Sequence, residues 1–525
     1  MSRWLPLLAL LAACAGSGDD TGDTADTDDT ADTDDTADTD DTADTGDTGD
    51  TGDTGDTEEP DPDCAVVDPF PATLSDTSGL STRYGSIGFQ ARDGNAITAY
   101  TYRATGFDGT GPILFVMHGS GRTASSYLDA FEPIAERHGA LAIAPRFPTS
   151  LYPSSENYTL GVGVIGTPSG GNYIPAAWRD PEDYLYAELE HLFEAVKTAL
   201  GSPQCSYRVF GHSAGGQFTH RLLTFLPYAR VHRAVAANSG WYTLPSDGGG
   251  ADPNYFMPYG LQGSPVNNTL VGVAMGRELV VLLGEEDTAT AAEDSSLRGT
   301  PEANYQGVNR LERGQFYYAL AQSRAVAFGA DFQWRSDVVP GAGHDKDEMA
   351  ASAGWYLFRE DGAVPCTSTA AVDATGLVIN EILADPPSEL AGDANADGVR
   401  DSNADEFVEL VNTGGRDLCL AGWTLSDADE PQRHRFPLGT LLPAGEALVV
   451  FGGGVPTGDF GDSNIQWAAF GGRINMNNAG DVVTLADRFG VVHAQVSWGD
   501  CDGAPCATDH RVADLEIDQS IVRDP

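Results

Sequence analysis

A chain of 525 residues with 41% hydrophobic and 9% aromatic residues has the composition of a globular protein with two or three domains. Its formal net charge of −49 at pH 7 argues against nucleic acid as a partner, because the phosphates would be repelled. Residues 15–63 hold 19 Asp and 2 Glu but neither Lys nor Arg. This Thr/Asp/Gly repeat lacks large apolar side chains, so we expect a disordered acidic linker.

Residues 1–14 have the organisation of a secretory signal peptide. Arg3 precedes an apolar run, Trp4–Ala13, that is too short to span a bilayer. The run ends in Leu11-Ala12-Ala13-Cys14, which resembles the lipobox of bacterial lipoproteins, whose cysteine is acylated. With Ala15 next, the resemblance implies an exported protein that is lipid-anchored through Cys14 at the outer membrane or cell surface of a Gram-negative bacterium. Ordinary cleavage after a small residue, with Cys14 incidental, is the alternative.

Seven cysteines are present, and lipidation of Cys14 would leave six. An even number in an exported protein favours disulfides. Spacing makes only the pair Cys501–Cys506 locally plausible. Cys64 and Cys366 flank the first predicted domain, and a bond between them would close it. No Cys–His spacing suggests zinc.

From residue 64 to residue 366, short apolar runs alternate with longer segments of helical period. Most runs are continuously apolar, as expected of parallel strands that helices cover on both faces. The predicted strands are Ile113–Met117, Ala140–Ala144, Tyr207–Phe210, Ala234–Ala237, Leu279–Leu283 and Phe332–Val339. The predicted helices are Pro181–Leu200, Gly215–Phe225 and Gln315–Phe328. The alternation predicts an α/β domain with a doubly wound, mostly parallel sheet.

After Cys366 the pattern changes to turns and short strands. The segment Pro365–Thr375, which consists mostly of small and polar residues, marks the boundary between the two sequence patterns. The predicted strands beyond it are Leu377–Ile382, Glu406–Val411, Trp423–Leu425, Ala447–Phe451, Val482–Leu485 and Val491–Val496. We expect an all-β sandwich over residues 375–525.

Ser213 is the candidate nucleophile of the first domain. It lies in a Gly-x-Ser-x-Gly segment, Gly211–Gly215, between a predicted strand and a predicted helix. That context places a serine on a sharp, strained turn, and the two glycines allow the strand and helix to approach closely. The helix N-terminus would direct positive potential at an oxyanion.

The base and the acid should follow the serine in the order acid, then histidine. Of the three later histidines in this domain, His220 lies in the nucleophile helix and His232 at the entry to the next strand. Only His344 lies in a glycine-rich loop after a late strand, so it is the predicted base. Asp287 follows the most apolar strand and is the predicted acid, with Glu286 as the alternative.

Two backbone N–H groups should form the oxyanion hole. Ala214, directly after the nucleophile, would supply one. The loop after the strand Ile113–Met117 would supply the other, with Ser120 as the predicted donor. His118 opens that loop, and we expect it to order the loop rather than act as a base. The long loop Tyr152–Trp178, together with Trp241 and Tyr242, either walls the acyl pocket or simply packs.

Three segments carry a family resemblance in the right order: Val116–Arg122, Gly211–Gly216 and Gly284–Asp287. They resemble bacterial α/β hydrolases, in particular esterases of the polyhydroxybutyrate-depolymerase and feruloyl-esterase type. The resemblance covers residues 64–366. It implies hydrolysis of a small-molecule or polymeric ester through an acyl-enzyme, with no cofactor for catalysis. It does not transfer a particular substrate.

The second domain resembles the lamin-tail domain, an immunoglobulin-like sandwich, through Val378–Ile382, Asp405–Asn412 and Leu442–Gly445. The resemblance implies a binding or positioning module with a surface or polymer ligand, rather than a catalyst.

Residues 393–401 have the spacing of a calcium loop. Oxygen ligands at alternate positions, with Gly398 at the sixth, are what hard Ca²⁺ and a sharp turn require. The candidate ligands are Asp393, Asn395, Asp397, Val399 through its carbonyl, and Asp401. Ala404 stands where such loops carry a bidentate acid, with Asp405 or Glu406 as substitutes. We expect a structural Ca²⁺; a plain acidic turn is the alternative.

Taken together, the sequence predicts a surface-tethered serine hydrolase, made of a lipid anchor, an acidic linker, a catalytic domain and an accessory sandwich. A non-catalytic surface binding protein on a hydrolase scaffold is one alternative. A serine hydrolase of another bond, such as a peptidase or lactonase, is the other.

Overall fold

The computed structural model describes residues 64, 67–161, 163–164, 177–250, 252–367, 373–461, 463–468, 473–501, 506–507, 510–512 and 520–522. The predicted signal peptide, Cys14 and the acidic linker lie outside the described residues. Residues 162 and 165–176 of the predicted loop Tyr152–Trp178 also lie outside them. No helix in the described ranges is both long and apolar enough to cross a membrane.

One mostly parallel sheet organises the first domain. Its strands, with a separate short pair at β6 and β7, are β1 Thr73–Asp76, β2 Tyr84–Gln90, β3 Ala96–Arg103, β4 Ile113–Met117, β5 Leu141–Arg146, β6 Gly163–Val164, β7 Ala177–Trp178, β8 Tyr207–His212, β9 Val231–Ala237, β10 Leu279–Gly284 and β11 Arg335–Val339. The spatial order is β1-β2-β3-β5-β4-β8-β9-β10-β11. From β5 to β11 every neighbouring pair is parallel. This confirms the predicted doubly wound α/β fold.

Helices cover both faces of this sheet. They are α1 Ala124–Asp129, α2 Glu132–Arg137, α3 Ser155–Thr159, α4 Glu188–Leu200, α5 Ala214–Phe225, α6 Asn268–Met275, α7 Pro301–Gln306, α8 Arg310–Phe328 and α9 Lys346–Phe358. The interior strands β4 and β10, each paired on both sides, are buried along their whole length, which explains their continuous apolar runs. Two apolar clusters, one on each side of the sheet, form the core.

The sequence did not indicate β1, β2 and β3, which extend the sheet by antiparallel pairing. Their side chains alternate between buried and partly exposed positions, as in β3, where Ile97 and Ala99 are buried and Ala96 and Thr98 are exposed. A half-exposed antiparallel edge lacks the long apolar run that makes a buried parallel strand visible in sequence.

The second domain consists of two five-stranded sheets around a shared core, with a further short pair, β14 and β17. Its strands are β12 Leu377–Leu383, β13 Phe407–Asn412, β14 Leu418–Cys419, β15 Thr424–Ser426, β16 His434–Arg435, β17 Leu441–Leu442, β18 Ala447–Phe451, β19 Asn464–Trp467, β20 Gly480–Ala486, β21 Val492–Gly499, β22 His510–Val512 and β23 Ile521–Val522. The sheet orders are β19-β18-β13-β12-β23 and β16-β15-β20-β21-β22. Trp423 and Trp498 are fully buried between them. This arrangement matches the predicted sandwich.

Three disulfides link the six cysteines of the described residues. The predicted Cys501–Cys506 bond is confirmed. The suggested closure of the first domain by Cys64 and Cys366 is wrong, because Cys64 pairs with Cys205 and Cys366 pairs with Cys419. Cys366–Cys419 therefore ties the end of the first domain to the second. Pairing depends on which Cβ atoms the fold brings together, and sequence spacing does not reveal this for distant cysteines.

Candidate active site

Ser213 lies at the sharp turn between β8 and α5. Its backbone has φ 58° and ψ −117°, a conformation that L-residues rarely adopt. A Cβ at Gly211 would lie 2.1 Å from the carbonyl oxygen of Gly215, and a Cβ at Gly215 would lie 2.1 Å from that of Met117. Both glycines are therefore required for the strand and the helix to approach this closely.

His344 is the histidine that reaches Ser213. Its Nε2 accepts the Ser213 hydroxyl over 3.1 Å, from the loop that follows β11. His220 is buried inside α5, where it contacts the Gly216 carbonyl and accepts the Thr243 N–H over 3.2 Å. His232 lies on β9 itself. The structure thus brings together the residue pair that the sequence selected.

Asp287 is the acid that meets this histidine. Its Oδ2 accepts from Nδ1 of His344 over 2.7 Å, from the loop after β10. The Asp287 side chain is buried, whereas the alternative, Glu286, is exposed. Because β8, β10 and β11 are parallel, their carboxyl ends meet at one edge of the sheet, and the three side chains converge there.

Arg310, at the first position of α8, is a site residue that the sequence analysis missed. Its Nη1 donates to Oδ1 of Asp287 over 3.3 Å, and its Nη2 donates to Asp294 over 2.7 Å and to Ser296 over 3.0 Å. Arg310 is buried. An arginine among polar helix residues gives no sequence signal for this role, because the contact spans 23 positions.

The loop after β4 lies beside Ser213, as predicted. As the first residue of α5, Ala214 has a backbone N–H without an intrahelical acceptor. Within the described part of the chain, the Ser120 N–H likewise has no protein acceptor, and Ser120 is exposed. Ala214 and Ser120 thus remain the two candidate oxyanion donors.

His118 orders this loop. Its Nδ1 donates to the Gly119 carbonyl over 3.0 Å, and its Nε2 accepts the Phe147 N–H over 3.1 Å. Burial lowers the pKa of His118 to about 3, so the ring stays neutral at physiological pH. With both ring nitrogens occupied, His118 is not available to Ser213.

Tyr127 on α1 joins the loop to the residue before the nucleophile. Its hydroxyl is hydrogen-bonded to Nδ1 of His212 over 3.2 Å and lies against Gly119, where an added Cβ would lie 2.4 Å from it. The His212 ring lies 4.6 Å from the His344 ring, measured between centroids. Burial lowers the pKa of His212 far below its usual range. The neutral His212 ring therefore packs beside the His344 imidazole.

For Trp241 and Tyr242 the sequence allows either a pocket role or simple packing. Both are buried, and Tyr242 stacks on Tyr317 with 4.3 Å between ring centroids. Trp241 lies between two guanidinium groups, 4.2 Å from Arg221 and 4.6 Å from Arg298. These contacts favour packing for both aromatic residues.

The loop 393–401 of the second domain carries no assembled cation site. Its side-chain oxygens accept backbone N–H groups of the same loop: Asp393 from Gly398, Asn395 from Asp397, and Asp397 from Val399. In the residues that the structure describes, no three His, Cys, Asp or Glu side chains are grouped around one metal position. Each of these oxygens can accept an N–H and bind a cation at the same time, and calcium binding stays a prediction.

The fold and the hydrogen-bonded serine, histidine and aspartate together define the class of α/β hydrolases. Comparisons with known proteins point the same way. Poly(aspartic acid) hydrolase-1 from Sphingomonas sp. KT-1 is 35% identical, with a TM-score of 0.47, and the match covers 52% of this chain and 98% of that chain. LpqC, a poly(3-hydroxybutyrate) depolymerase from Bordetella parapertussis, is 32% identical, with a TM-score of 0.48, and the match covers 55% and 94%. The comparison with curated proteins gives no match.

At this identity over nearly the whole of both hydrolases, the chain belongs, through its first domain, to their family of α/β hydrolases. Residues 371–500 match the Lamin Tail Domain family, which confirms the resemblance of the second domain.

Proposed function

We propose that this protein is an exported serine hydrolase that cleaves carboxylic esters through an acyl-enzyme. The observation that carries the proposal is the continuous hydrogen-bonded chain from Ser213 through His344 to Asp287. A nucleophile, a base within reach of its proton and an acid that orients the base are what acyl transfer requires. The non-catalytic alternative gives no reason for this geometry.

In acylation, the Ser213 oxygen would attack the ester carbonyl carbon while its proton moves to Nε2 of His344. Asp287 would hold the imidazole in the correct tautomer and stabilise the imidazolium. The carbonyl oxygen becomes an oxyanion, for which the N–H groups of Ala214 and Ser120 are the proposed donors. His344 would then return the proton to the departing alcohol, and water would release the acid by the same steps.

The relatives differ in the bond that their names specify. One is a depolymerase of a polyester, poly(3-hydroxybutyrate), and the other is a hydrolase of poly(aspartic acid). We therefore propose a small or polymeric ester as substrate, and we keep a polyaspartate-type amide as the second candidate. The same three residues would serve both, because each reaction passes through a tetrahedral oxyanion.

Labelling with a fluorophosphonate tests serine catalysis. We expect the wild type and the exposed-serine control Ser125→Ala to label, and Ser213→Ala not to label. Equal labelling of the wild type and both variants, or labelling of none of them, would contradict the proposal. A panel of acyl esters and poly(aspartic acid), with product acids quantified, then separates the ester reading from the amide reading.

Membrane anchoring is a separate proposal that rests on Cys14 and the segment before it. Acylation of Cys14 would hold the enzyme at the outer membrane or cell surface, with the acidic linker as a spacer. Metabolic labelling with a palmitate analogue tests it: wild type and Ser17→Ala should carry the label in the membrane fraction, and Cys14→Ser should lack it. An unlabelled wild type would exclude the anchor.

A further inference from the structure

A cavity of about 480 Å³ lies between the two domains. Helices α2 and α9 of the first domain form one side, and residues 434–440 and 464–468 of the second domain form the other. Apolar and polar residues contribute about equally to its lining, which includes Ile134, Arg137, Trp355, Phe358, Leu438 and Trp467. The volume lies within the range of small-molecule sites. None of Ser213, Asp287 and His344 lines it.

The cavity walls are held in place by contacts between the domains. The Leu438 N–H donates to Oγ of Ser352 over 3.2 Å, and the Gly439 N–H donates to the Cys366 carbonyl over 3.2 Å. Gly439 has φ +81°, and a Cβ there would run into the Trp355 ring. With the disulfide Cys366–Cys419 beside them, these contacts keep the cavity open and preformed.

Arg137 is the one cation in this lining without an anionic partner in the described residues. Lys346 pairs with Asp347, and Arg359 pairs with Glu278. The guanidinium of Arg137 makes no hydrogen bond to any described residue, and it lies 6.0 Å from the Trp467 ring centroid.

Two neighbours of Arg137 are also unable to satisfy it. The adjacent Glu136 is occupied by Tyr102 and by the Thr105 N–H. His138 stacks flat on Phe358 with 4.4 Å between centroids, and burial lowers its pKa to about 4, so it is neutral. The atoms packed around the cavity lower the pKa of Arg137 to about 10 through desolvation, and its guanidinium, which is exposed to solvent at the cavity, remains a cation at neutral pH. Asp129, Lys346 and Asp347 are the remaining charged groups in the lining close to the start of α9.

We propose that this cavity is a second binding site, for a monocarboxylate with an apolar, ring-bearing body. The carboxylate would accept paired hydrogen bonds from the Arg137 guanidinium, whose planar fork matches that geometry. The ring would pack among Trp355, Phe358 and Trp467. Arg137 matches one negative charge, whereas the second charge of a dianion would have no cation left to pair with and would approach Asp129, which lines the same cavity.

The proposal goes beyond ester hydrolysis, since it needs neither Ser213 nor His344. Binding can therefore be tested by calorimetry on the full chain carrying Ser213→Ala, whether or not the wild type is an esterase. The probes are 4-phenylbutyrate and its neutral amide, 4-phenylbutyramide. We expect the acid to bind with a Kd below about 1 mM. The amide should bind about 10- to 100-fold more weakly, because the charge-assisted bonds are lost.

Variants place the probe in the cavity. Arg137→Gln should weaken 4-phenylbutyrate by about 10- to 100-fold, while Arg416→Gln, an exposed arginine of the second domain, should leave it unchanged. Trp467→Leu should weaken both probes and reduce any quenching of tryptophan fluorescence. The proposal is overturned by an absence of binding at about 10 mM acid. Equal binding of acid and amide, or an affinity that Arg137→Gln does not change, would also overturn it.

Discussion

Arg310 and His344 each donate a hydrogen bond to a different oxygen of the Asp287 carboxylate. Oδ1 of Asp287 accepts from Arg310 over 3.3 Å, and Oδ2 accepts from His344 over 2.7 Å. Arg310 is itself held by Asp294 over 2.7 Å. Burial would raise the pKa of Asp294, but hydrogen bonds from Ser296 and Arg310 outweigh it and lower the pKa to about 2. Asp287, the acid that orients His344, is thus held by Arg310, and Arg310 is held in turn by its ion pair with Asp294.

Replacing Arg310 should therefore misplace the base. We expect Arg310→Gln to lower kcat on an acyl ester by about 10- to 100-fold with little change in KM, since small displacements of a catalytic group cost this much. Arg310→Lys should recover only part of the loss, because an ammonium group lacks the planar fork that spans both carboxylates. Arg277→Gln, which removes bonds from an arginine to the carbonyls of Ala229 and Val231, is the control. A folded Arg310→Gln protein with wild-type kcat would contradict this role.

Tyr127 should contribute by fixing His212 and the loop at Gly119. Tyr127→Phe removes the hydroxyl that bonds His212 and packs against Gly119, and keeps the ring. The loss of a single hydrogen bond corresponds to roughly a fivefold fall in kcat, with KM unchanged. Steady-state kinetics on the same ester measure this, with Tyr228→Phe, an exposed tyrosine, as the control. A changed KM at constant kcat would indicate a substrate contact instead.

The second domain should support the loop that carries His344. Arg435 of β16 donates through Nη1 to the Pro340 carbonyl over 2.8 Å, against Gly341. We expect Arg435→Gln to lower kcat by less than about tenfold, since one charged hydrogen bond to a loop is lost. Arg433→Gln is the matched control, because Arg433 pairs with Asp427 inside the second domain. If kcat falls equally in Arg435→Gln and Arg433→Gln, the cause is lower stability of the second domain and not a shift of the loop.

Glu188 should make stability depend on pH. Burial raises the pKa of its carboxyl; Oε1 accepts the Arg92 N–H over 2.8 Å, and Oε2 is buried without a partner among the described residues. The folded state therefore keeps a proton that the unfolded chain releases above the ordinary glutamate pKa. The free energy of unfolding should thus fall as pH rises from about 4 to about 8.

Urea unfolding of Glu188→Gln tests this dependence. The amide keeps the acceptor for Arg92 but cannot ionise, so the variant should gain stability relative to wild type as pH rises. Glu182→Gln, an exposed neighbour, should show no such gain. Parallel pH profiles for wild type and Glu188→Gln would show that this carboxyl titrates normally.

Calcium binding at residues 393–401 can be tested by calorimetry on the full chain. Asp401→Asn keeps the oxygen that accepts the Asn403 and Ala404 N–H groups but removes a charge. We expect wild type to bind one Ca²⁺ with a Kd of roughly 10⁻⁴–10⁻³ M, and the variant to bind it more weakly. The acidic linker is common to both proteins and cancels in the comparison. Identical isotherms for wild type and Asp401→Asn would contradict a calcium site at residues 393–401.

The sequence by itself determined the fold class and the residues that meet at the candidate active site. Buried parallel strands have continuous apolar sequences, and β4 was predicted with the bounds that the structure has. The chain order of serine, acid and histidine, each after its own strand, was enough to select Ser213, Asp287 and His344. These signals are local, so they survive in a single sequence.

Only the tertiary structure decided which distant groups meet. Arg310 behind Asp287, Tyr127 between Gly119 and His212, and the Cys64–Cys205 pairing all join positions far apart in the chain. Such contacts follow from how elements pack, and no periodicity or spacing encodes them. The unpaired Arg137 is the same case: its role depends on which side chains the second domain brings to face it.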